Sequence, residues 1–343
     1  MRVKLADVCE RGSSNLKQAD IPGKSGDYPV YGASGYIGNV DFYQQKKPYV
    51  AVVKDGAGIG RAMLLPAESS VIGTMQYLLP KSVVLPEYLF YVVKHMHLEK
   101  YFSGATIPHI YFKDYQNEEF TLDDLNKQHE VVTTLRKVES VIENRQQQLQ
   151  KLDDLIKARF VEMFGDPGTN PMGWKETTIG EECFYIKDGP HKSLPDIGRE
   201  NGGHPFISVR NIVDGYIDFS TAKYISDEDY ADAIKKCHPE KGDMLYSKGG
   251  TTGIAKLIDV DVEFANWVHV AVLKFDKKKL NGVFFENMLN GVYCYEQSQR
   301  LTKGIANRDL VLSAMAQIKM YRPPMELQQQ FAAFVAQVTK SKF

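Results

Sequence analysis

The stretch that decides the architecture of this chain is LNKQHEVVTTLRKVESVIENRQQQLQKLDDLIKARFVEMF, from Leu125 to Phe164. It contains no Gly or Pro, and its apolar residues recur at alternating steps of three and four, which is the coiled-coil period. The seam positions are Val131, Leu135, Val138, Ile142, Leu149, Leu152, Ile156 and Met163, with Arg145 and Arg159 at the remaining two. Two aspartates before Leu125 offer an N-cap, and Gly165-Asp166-Pro167 supplies the stop. At 1.5 Å a residue, a helix of about 40 residues reaches roughly 60 Å, so it is predicted to be a spacer or an assembly arm.

The sequences on either side of this helix are distant copies of each other. Five pairs of segments match in the same order: Lys4 to Cys9 with Thr178 to Cys183, Tyr28 to Tyr31 with His204 to Ile207, Val50 to Leu65 with Asp243 to Ile258, Ser103 to Asp114 with Lys303 to Ala314, and Leu125-x-x-Gln128-x-x-Val131 with Met325-x-x-Gln328-x-x-Phe331. The third pair has the pattern of an apolar strand, a lysine, a Gly-rich turn and a second strand. The shared order indicates a duplication.

The duplication predicts four segments: a globular unit over 1–124, the long helix over 125–165, a second globular unit over 166–324 and a short helix over 325–343. The fold class is predicted to be α/β (mixed α+β), with two duplicated globular domains joined by coiled-coil helices. We expect the cores in the apolar strands Val50 to Val53 and Val268 to Leu273. Such a protein suits contact with two related places a fixed distance apart.

Composition excludes several classes of protein. The chain has 343 residues, 43% of them hydrophobic, and can therefore bury a core. No apolar run approaches the roughly 18 residues of a membrane span, and the start does not resemble a signal peptide, so a cytoplasmic protein is expected. The four cysteines are far apart and are predicted to be reduced and mostly buried, and the scattered histidines predict no metal site. The net charge of -1 requires that any basic surface be local, or that partner chains neutralise phosphates.

Motifs of catalysis are missing from the sequence. Asp55 to Gly60 contains a G-x-G, but a strand-like stretch follows where a dinucleotide fold needs a helix, so a hairpin turn is predicted. The string Asn170-Pro171-Met172-Gly173 lacks the second Pro and the aromatic of a methyltransferase motif. There is no G-K-[ST] phosphate loop and no G-x-S-x-G elbow.

Side chains suited to reading DNA gather in the loops of both copies. Arg210 and Asn211 have the shapes that best match guanine and adenine edges. Lysines next to Gly-rich turns suit phosphate contact, because small residues let the backbone approach closely. The candidate DNA-binding residues are Lys54, Arg61, His109, Lys187, His191, Lys192, Arg210, Asn211, Lys248, Thr251, Thr252, Asn307 and Arg308.

Taken together, these segments resemble one known family, the specificity subunits of type I restriction-modification systems. The resemblance rests on YPVYGASGYIG from Tyr28, the units around Lys54 and Lys248, IKDGPHKS from Ile186, HPFISVRNIVDG from His204, GIANRDL from Gly304, and the helix openings at Leu125 and Met325. It implies that each globular domain reads one half of a split double-stranded DNA target, that the helices pack antiparallel to fix the gap, and that methyltransferase and restriction subunits are partners. It also implies that the chain is not an enzyme and holds no cofactor, with S-adenosylmethionine and ATP bound by the partner subunits.

The C-terminal helix is shorter than the family resemblance implies. In that family, the second long helix is usually about as long as the first. Starting at Met325, it is expected to cover only the later part of the long helix, near Leu149 to Met163. Residues Val131, Val132, Leu135, Val138 and Ile142 are then expected to form a bare apolar stripe. We expect partner binding through Val131, Leu135, Val138 and Ile142, either in a homodimer or with helices of the methyltransferase subunits.

Two alternatives remain open at this point. The chain is also compatible with a fragment of a DNA-modifying enzyme whose catalytic residues are not recognised, which methyl transfer by the isolated chain would reveal. It is equally compatible with a coiled-coil protein-interaction module, whose binding would lack the steep salt dependence of phosphate contacts.

Overall fold

The structure, a computed structural model, describes residues 1–104, 108–305 and 307–342. Residues 105–107 and 306, which belong to the matched loops 103–114 and 303–314, lie outside the described residues, as does 343. The chain forms two compact units, Met1–Arg145 and Gln146–Phe343. We call them the first unit and the second unit.

Over residues 1–104 and 108–145, the first unit contains nine strands in three sheets. Its elements are β1 Arg2–Lys4, α1 Leu5–Val8, β2 Cys9–Ser13, β3 Tyr28–Gly32, β4 Gly35–Val40, β5 Tyr49–Val53, β6 Ala62–Leu65, β7 Ser70–Val71, β8 Met75–Pro80, α2 Pro86–His95, α3 Phe112–Tyr115, β9 Glu119–Thr121 and the start of α4 Leu125–Phe164, with short 3-10 turns at Gln18–Asp20 and Leu98–Tyr101. The strand orders are β2-β8-β5-β6, β4-β3-β7 and β1-β9.

The second unit repeats this plan. After the end of α4 come β10 Lys175–Thr178, α5 Ile179–Glu182, β11 Cys183–Asp188, β12 His204–Ile207, β13 Lys223–Ile225, α6 Asp227–Lys236, β14 Met244–Ser247, β15 Ala255–Leu257, β16 Ala265–Asn266, β17 Val270–Phe275, α7 Gly282–Asn290, α8 Val292–Leu301, α9 Leu312–Met315, β18 Lys319–Arg322 and α10 Met325–Lys340, with 3-10 turns at Arg199–Asn201 and Val209–Asn211. The strand orders are β11-β17-β14-β15, β13-β12-β16 and β10-β18.

The two units have the same sheet topology, element by element, which confirms the predicted duplication and the mixed α/β fold class. Each contains one short parallel pair among antiparallel strands, β3 with β7 and β12 with β16. The residues that pair are Val30 with Ser70 in the first unit and Phe206 with Ala265 in the second. This pairing gives a residue-by-residue correspondence between the units.

The predicted core strands are the central strands of each four-stranded sheet. Val50 to Val53 in β5 are fully buried, and so are Val270 to Leu273 in β17. Strands buried on both faces explain why these runs are apolar throughout instead of alternating. Both Gly-rich segments connect antiparallel strands, β5 with β6 and β14 with β15, as predicted for hairpins.

The predicted long helix is present as one continuous α4, from Leu125 to Phe164. At its start, the Asp124 carboxylate accepts a hydrogen bond from the Lys127 main-chain N–H at 3.0 Å. At its end, Gly165 adopts a φ of +76°, where a β-carbon would lie 2.5 Å from Pro171. Only Gly tolerates both the positive φ and this crowding, so the helix stops there.

The later part of α4 packs against α10 in the second unit. Phe331 of α10 lies with its ring centroid 5.4 Å from that of Phe160 and 5.6 Å from that of Phe164. Just after the end of α10, Lys342 forms an ion pair with Asp153, which precedes Phe160 in α4. The two helices therefore run antiparallel, as expected, and α10 covers the later part of α4.

The earlier part of α4 differs from the expectation at its first positions. Val132 is buried and Val131 is half-buried, because both pack against the core of the first unit. The bare stripe therefore begins one turn later than predicted. It consists of side chains that are 36% to 67% exposed: Leu135, Val138, Val141 and Ile142. We call these four residues the exposed stripe.

A buried glutamine joins the start of α4 to the first unit, and another joins the start of α10 to the second unit. The Gln128 side chain accepts a hydrogen bond from the Leu85 N–H at 2.9 Å and donates to the carbonyls of Val83 and Asp123 at 2.9 and 2.8 Å. The Gln328 side chain accepts one from the Asn281 N–H at 2.8 Å and donates to the Pro323 carbonyl at 2.7 Å. Since Leu85 and Asn281 are the N-cap residues of α2 and α7, the recurrent glutamine is a structural clamp.

We expect Gln128→Leu to lower the free energy of unfolding of the first unit by about 3 kcal/mol, because each buried polar group left without a partner costs roughly 1 to 3 kcal/mol. Chemical denaturation followed by circular dichroism measures this loss. Gln147→Leu is the matched control, because Gln147 lies on the same helix and is exposed. Equal free energies of unfolding for the two variants would contradict the structural role assigned to Gln128.

Within the described residues, no helix combines the length and the apolar character that a membrane span requires.

Candidate nucleic-acid interface

A cleft in the second unit brings together loops that are distant in sequence. Its cavity of about 620 Å³ is lined by Ser208, Val209, Arg210, Gly249, Gly250, Trp267, His269, Asn307 and Arg308. The lining thus contains three of the sequence-predicted residues, Arg210, Asn307 and Arg308, together with Gly249 and Gly250 next to Lys248. They come from the segment after β12, the turn after β14 and the loop before α9. We call it the second-unit cleft.

Main-chain hydrogen bonds hold these loops in place. The Lys248 N–H donates to the His269 carbonyl at 2.8 Å, and the Gly250 N–H donates to the Arg308 carbonyl at 3.0 Å. The Leu310 N–H donates to the Lys248 carbonyl at 2.7 Å. Gly249 is required here, since a β-carbon would lie 2.0 Å from Nδ1 of His269. The floor of the cleft is therefore fixed by backbone geometry.

The structure corrects the expectation for Lys248, which was predicted to contact DNA. Its side chain is only 7% exposed, and its Nζ lies 3.0 Å from Asp309 and 3.4 Å from Asp188. Asp188 is also paired with Lys236 at 2.8 Å. Because the four charges come from separate segments, the network ties the loops together beneath the cleft instead of facing a ligand.

Asn211 is a second correction. Its side chain is buried and accepts hydrogen bonds from the main-chain N–H and the hydroxyl of Ser208 at 2.8 and 3.0 Å. Its amide donates to the Asp218 carbonyl at 3.0 Å and to the Thr221 hydroxyl at 3.2 Å. An amide with these partners has no remaining donor for an adenine edge, so Asn211 shapes the loop that carries Arg210.

Thr252 is also buried, and its hydroxyl lies 2.9 Å from that of Thr302. It is a packing residue rather than a phosphate contact. By contrast, Arg210, Thr251 and Asn307 are exposed, and Arg308 is half-buried with its guanidinium on Gln299. Arg210 donates to the Thr221 carbonyl at 2.6 Å, which orients its guanidinium while leaving other N–H groups available.

The basic residues Lys187, His191 and Lys192, at the end of β11 and in the loop that follows it, do not line the second-unit cleft. Lys187 is exposed, with its ammonium 5.1 Å from the Tyr185 ring centroid. His191 lies 3.8 Å from Asp188, and Lys192 forms ion pairs with acidic residues of α6, Asp229 and Asp232. These three residues remain accessible and are not brought into the second-unit cleft.

The first unit has a cleft at the corresponding place. Its cavity of about 650 Å³ is lined by Leu16, Lys17, Gln18, Gly32, Ala33, Ser34, Ile37, Asp55, Ala57, Arg61, Ile72, Gly73 and Thr74. The same backbone frame supports it: the Lys54 N–H donates to the Thr74 carbonyl at 3.0 Å, and the Gly56 N–H donates to the Pro108 carbonyl at 2.9 Å. We call it the first-unit cleft.

The side chains at corresponding positions differ in chemistry. Asp55, the counterpart of Gly249, lies 2.7 Å from Nδ1 of His109. Lys54 is 28% exposed and has Asp55 at 3.9 Å, so it is more accessible than Lys248. Arg61 is exposed and donates to the Ala33 carbonyl at 3.2 Å. Lys54, Arg61 and His109 are thus gathered around the Gly-rich turn, as the matched loops predicted.

Two residues of the second-unit cleft, Trp267 and His269, were missed by the sequence analysis. Both precede the core strand β17, and only His269 lies within the range Val268 to Leu273 that was expected to form the core. Their counterparts, Ile72 and Thr74, lie at the same point of the first unit, because the Ile72 N–H donates to the Tyr31 carbonyl and the Trp267 N–H to the Ile207 carbonyl. Comparing the two copies at this position would have revealed the replacement of an aliphatic residue by Trp.

The four cysteines are free and buried, as predicted. Burial raises the pKa of the Cys9, Cys183 and Cys294 thiols to about 12 and that of Cys237 to about 11. A thiol that stays protonated at neutral pH is a poor nucleophile. Across residues 1–104, 108–305 and 307–342, no three His, Cys, Asp or Glu side chains form a group that could hold a metal ion.

Comparison with known proteins identifies the family. Residues 1–154 and 171–343 match the family model of the type I restriction modification DNA specificity domain. The type I restriction enzyme MjaIX specificity subunit of Methanocaldococcus jannaschii is 24% identical over 223 residues, which cover 60% of this chain and 51% of that protein. The chain thus spans about half the length of this curated relative.

Solved structures show the same fold. The crystal structure of a type I restriction-modification S subunit from M. genitalium superposes with a TM-score of 0.62 at 15% identity, covering all of this chain and 90% of that chain. A structure from work on complex assembly and conformational transition of the type I R-M system gives a TM-score of 0.50 at 16% identity, with coverage of 100% and 90%. The prediction of a specificity component, and not the enzyme of such a system, agrees with the family model. Because that model matches both units and the helices that follow them, the chain belongs to the family of type I restriction modification DNA specificity domains.

Proposed function

We propose that this chain is the sequence-specific DNA-binding specificity subunit of a type I restriction-modification complex and carries no catalytic function of its own. The observation that supports this most directly is the pair of corresponding clefts, one in each unit, built on the same backbone frame. Each cleft reads one half of a bipartite duplex target. The long α4 between the units sets the spacing of the two halves.

The clefts combine the two kinds of contact that DNA recognition needs. Arg210 in the second-unit cleft is an exposed, oriented guanidinium suited to the O6 and N7 acceptors of guanine. Lys54 and Arg61 at the first-unit Gly-rich turn suit phosphate oxygens, which position a protein on the duplex. The net charge of -1 limits nonspecific attraction, so partner subunits contribute to phosphate neutralisation.

The exposed stripe of α4 is the proposed docking site for methyltransferase subunits, which bind S-adenosylmethionine. A restriction subunit that uses ATP joins the same complex. The alternative occupant of this stripe is a second copy of the chain, which would form a homodimer. Both proposals rest on the side chains that α10 leaves uncovered, since Leu135, Val138 and Ile142 are 36%, 50% and 52% exposed.

The function is tested by co-expressing the chain with candidate methyltransferase subunits and sequencing the methylated sites. A bipartite methylation motif that appears only with this chain is the expected result. In parallel, fluorescence anisotropy measures binding of the purified chain and of the complex to duplex DNA at increasing salt. Methyl transfer by the isolated chain, or binding without salt dependence, would contradict the proposal.

Arg210→Ala is expected to relax recognition in one half of the target only, because a bidentate base contact contributes roughly 1 to 3 kcal/mol of discrimination. Asn211→Ala is expected instead to destabilise the second unit, because its buried amide bonds hold the Arg210 loop. A methylation-site survey and thermal unfolding of both variants separate the two effects. Equal loss of recognition in both half-sites with Arg210→Ala would indicate a phosphate contact.

A further inference from the structure

A second, smaller cavity opens beside the second-unit cleft. It has a volume of about 250 Å³ and is lined by Ser193, Leu194, Phe206, Ser208, Arg210, Lys223 and Trp267. Three of these residues, Ser208, Arg210 and Trp267, also line the cleft itself. The cavity therefore adjoins the surface proposed to face DNA. We call it the Trp267 pocket.

The lining of the Trp267 pocket has the chemistry of a nucleotide site. Leu194, Phe206 and Trp267 provide apolar and aromatic surface, and Arg210 and Lys223 provide two cations. Aromatic rings stack with any nucleobase, and cations beside them bind the adjoining phosphate. A cavity of about 250 Å³ lies just below the roughly 300 to 1,000 Å³ of pockets for drug-sized ligands, which suits a single base.

Two buried ring nitrogens next to the Trp267 pocket have no hydrogen-bond partner among the described residues. Nε1 of Trp267 and Nδ1 of His269 are buried, and no described group forms a hydrogen bond with either. The two rings contact each other edge to face, with centroids 4.8 Å apart. Buried donors and acceptors in proteins are nearly always satisfied, so these two nitrogens mark a place where the described residues do not complete the hydrogen bonding.

The corresponding position of the first unit has a different chemistry. The counterpart of Trp267 is Ile72, and among the described residues the first-unit cleft is lined by no aromatic side chain. The Trp267 pocket is therefore a property of one unit and not of the shared fold. A ligand bound there would be recognised in only one half of a bipartite target.

Building on the proposed DNA-binding function, we propose that the Trp267 pocket receives one nucleobase unstacked from the DNA half-site that the second unit reads. The base stacks on Trp267 and Lys223 binds the flanking phosphate, while Arg210, which lines both cavities, keeps the base-edge contact proposed for it above. Unstacking has a cost, which is smallest at a weakly stacked or mismatched step. A stacking contact favours binding by roughly 5- to 150-fold, enough to offset part of that cost.

The two tryptophans of the chain make this directly measurable. Trp174→Phe leaves Trp267 as the only Trp, and Trp174 is a structural residue whose Nε1 donates to the Phe164 carbonyl at 2.8 Å. The full-length Trp174→Phe protein is titrated with a duplex that carries the target found by methylation sequencing. Anisotropy of the labelled duplex reports binding, and Trp267 emission reports stacking. We expect quenching of Trp267 on binding, and loss of the quench when one base of the second-unit half-site is replaced by an abasic site.

A second readout does not depend on the Trp174 variant. 2-Aminopurine is placed at each position of the target in turn and titrated with the unmodified chain. We expect a change in its emission at one position of the second-unit half-site only. Trp267→Leu should weaken DNA binding by roughly 5- to 150-fold, with rescue by Trp267→Phe. Phe184→Leu removes an aromatic ring from an exposed position of the second unit that lines neither cleft, and it should leave affinity unchanged.

The outcomes separate this inference from the proposed function. If anisotropy shows binding while Trp267 and 2-aminopurine emission stay constant, the pocket does not take a base, and the proposed function stands. Free dAMP, dGMP, dCMP and TMP form a further arm: quenching by these at the affinity of the duplex would assign the pocket to a free nucleotide and overturn the inference. Absence of duplex binding by the chain, alone and with methyltransferase subunits, would overturn both.

Discussion

Replacing Lys248 with Met is expected to lower the free energy of unfolding of the second unit by about 3 kcal/mol, the lower end of the cost of breaking a buried ion pair. The loss is at the lower end because Asp188 keeps Lys236 at 2.8 Å, while Asp309 loses the ammonium at 3.0 Å. Chemical denaturation measures the change. The affinity for DNA should fall only as far as loss of these ion pairs makes the loops of the second-unit cleft less ordered.

Lys54→Met in the first unit is the matched variant, and the opposite pattern is expected. Lys54 is more exposed than Lys248, with one carboxylate at 3.9 Å, so stability should change by less than about 1 kcal/mol. If Lys54 contacts a phosphate, its loss should weaken binding to all duplexes and reduce the salt dependence. A large stability loss for Lys54→Met, or none for Lys248→Met, would show that the two lysines have been assigned to the wrong roles.

The double variant Leu135→Glu, Ile142→Glu is expected to weaken partner binding more than a hundredfold. Burial of each such side chain contributes about 1.5 to 3 kcal/mol, so loss of two contacts removes at least about 3 kcal/mol. Light scattering of the isolated chain and pull-down with methyltransferase subunits distinguish the two occupants. Each unit should remain folded, because both side chains are exposed.

The control for this experiment is Thr133→Glu, Ser140→Glu, which adds the same charge on the opposite face of α4. Both residues are exposed, and neither belongs to the exposed stripe. Partner binding should survive in the control. If the unmodified chain is a monomer and the stripe variant binds methyltransferase subunits normally, the stripe is not the docking site.

Much of the fold could be predicted from periodicity. The apolar spacing of Leu125 to Phe164 predicts a helix because helix formation depends on neighbours three and four residues apart. The match of Gln128 with Gln328 indicated a shared role, and the structure shows that role to be a buried amide clamp. Local patterns of this kind are encoded within a few residues of sequence.

Whether an individual polar side chain is buried or exposed could not be predicted in the same way. Lys248 was expected at the DNA surface because it borders a Gly-rich turn, but its burial depends on Asp188 and Asp309, each about 60 residues away in sequence. Asn211 was expected to read a base, but its partners are set by the fold of the 208–221 loop. Whether a polar residue faces solvent depends on long-range partners, and a single sequence does not reveal them.

Main-chain hydrogen bonds frame both clefts, so the side chains around them are able to vary. Thr74 corresponds to His269 and Asp55 to Gly249, yet the main-chain bonds donated by Lys54 and Gly56 have direct counterparts in those donated by Lys248 and Gly250. Except at Gly249, where a β-carbon would meet His269, a substitution around a cleft is expected to change its surface while leaving the main-chain frame in place. The side chains around the two clefts of a duplicated protein can therefore diverge independently of each other on a main-chain frame that stays the same.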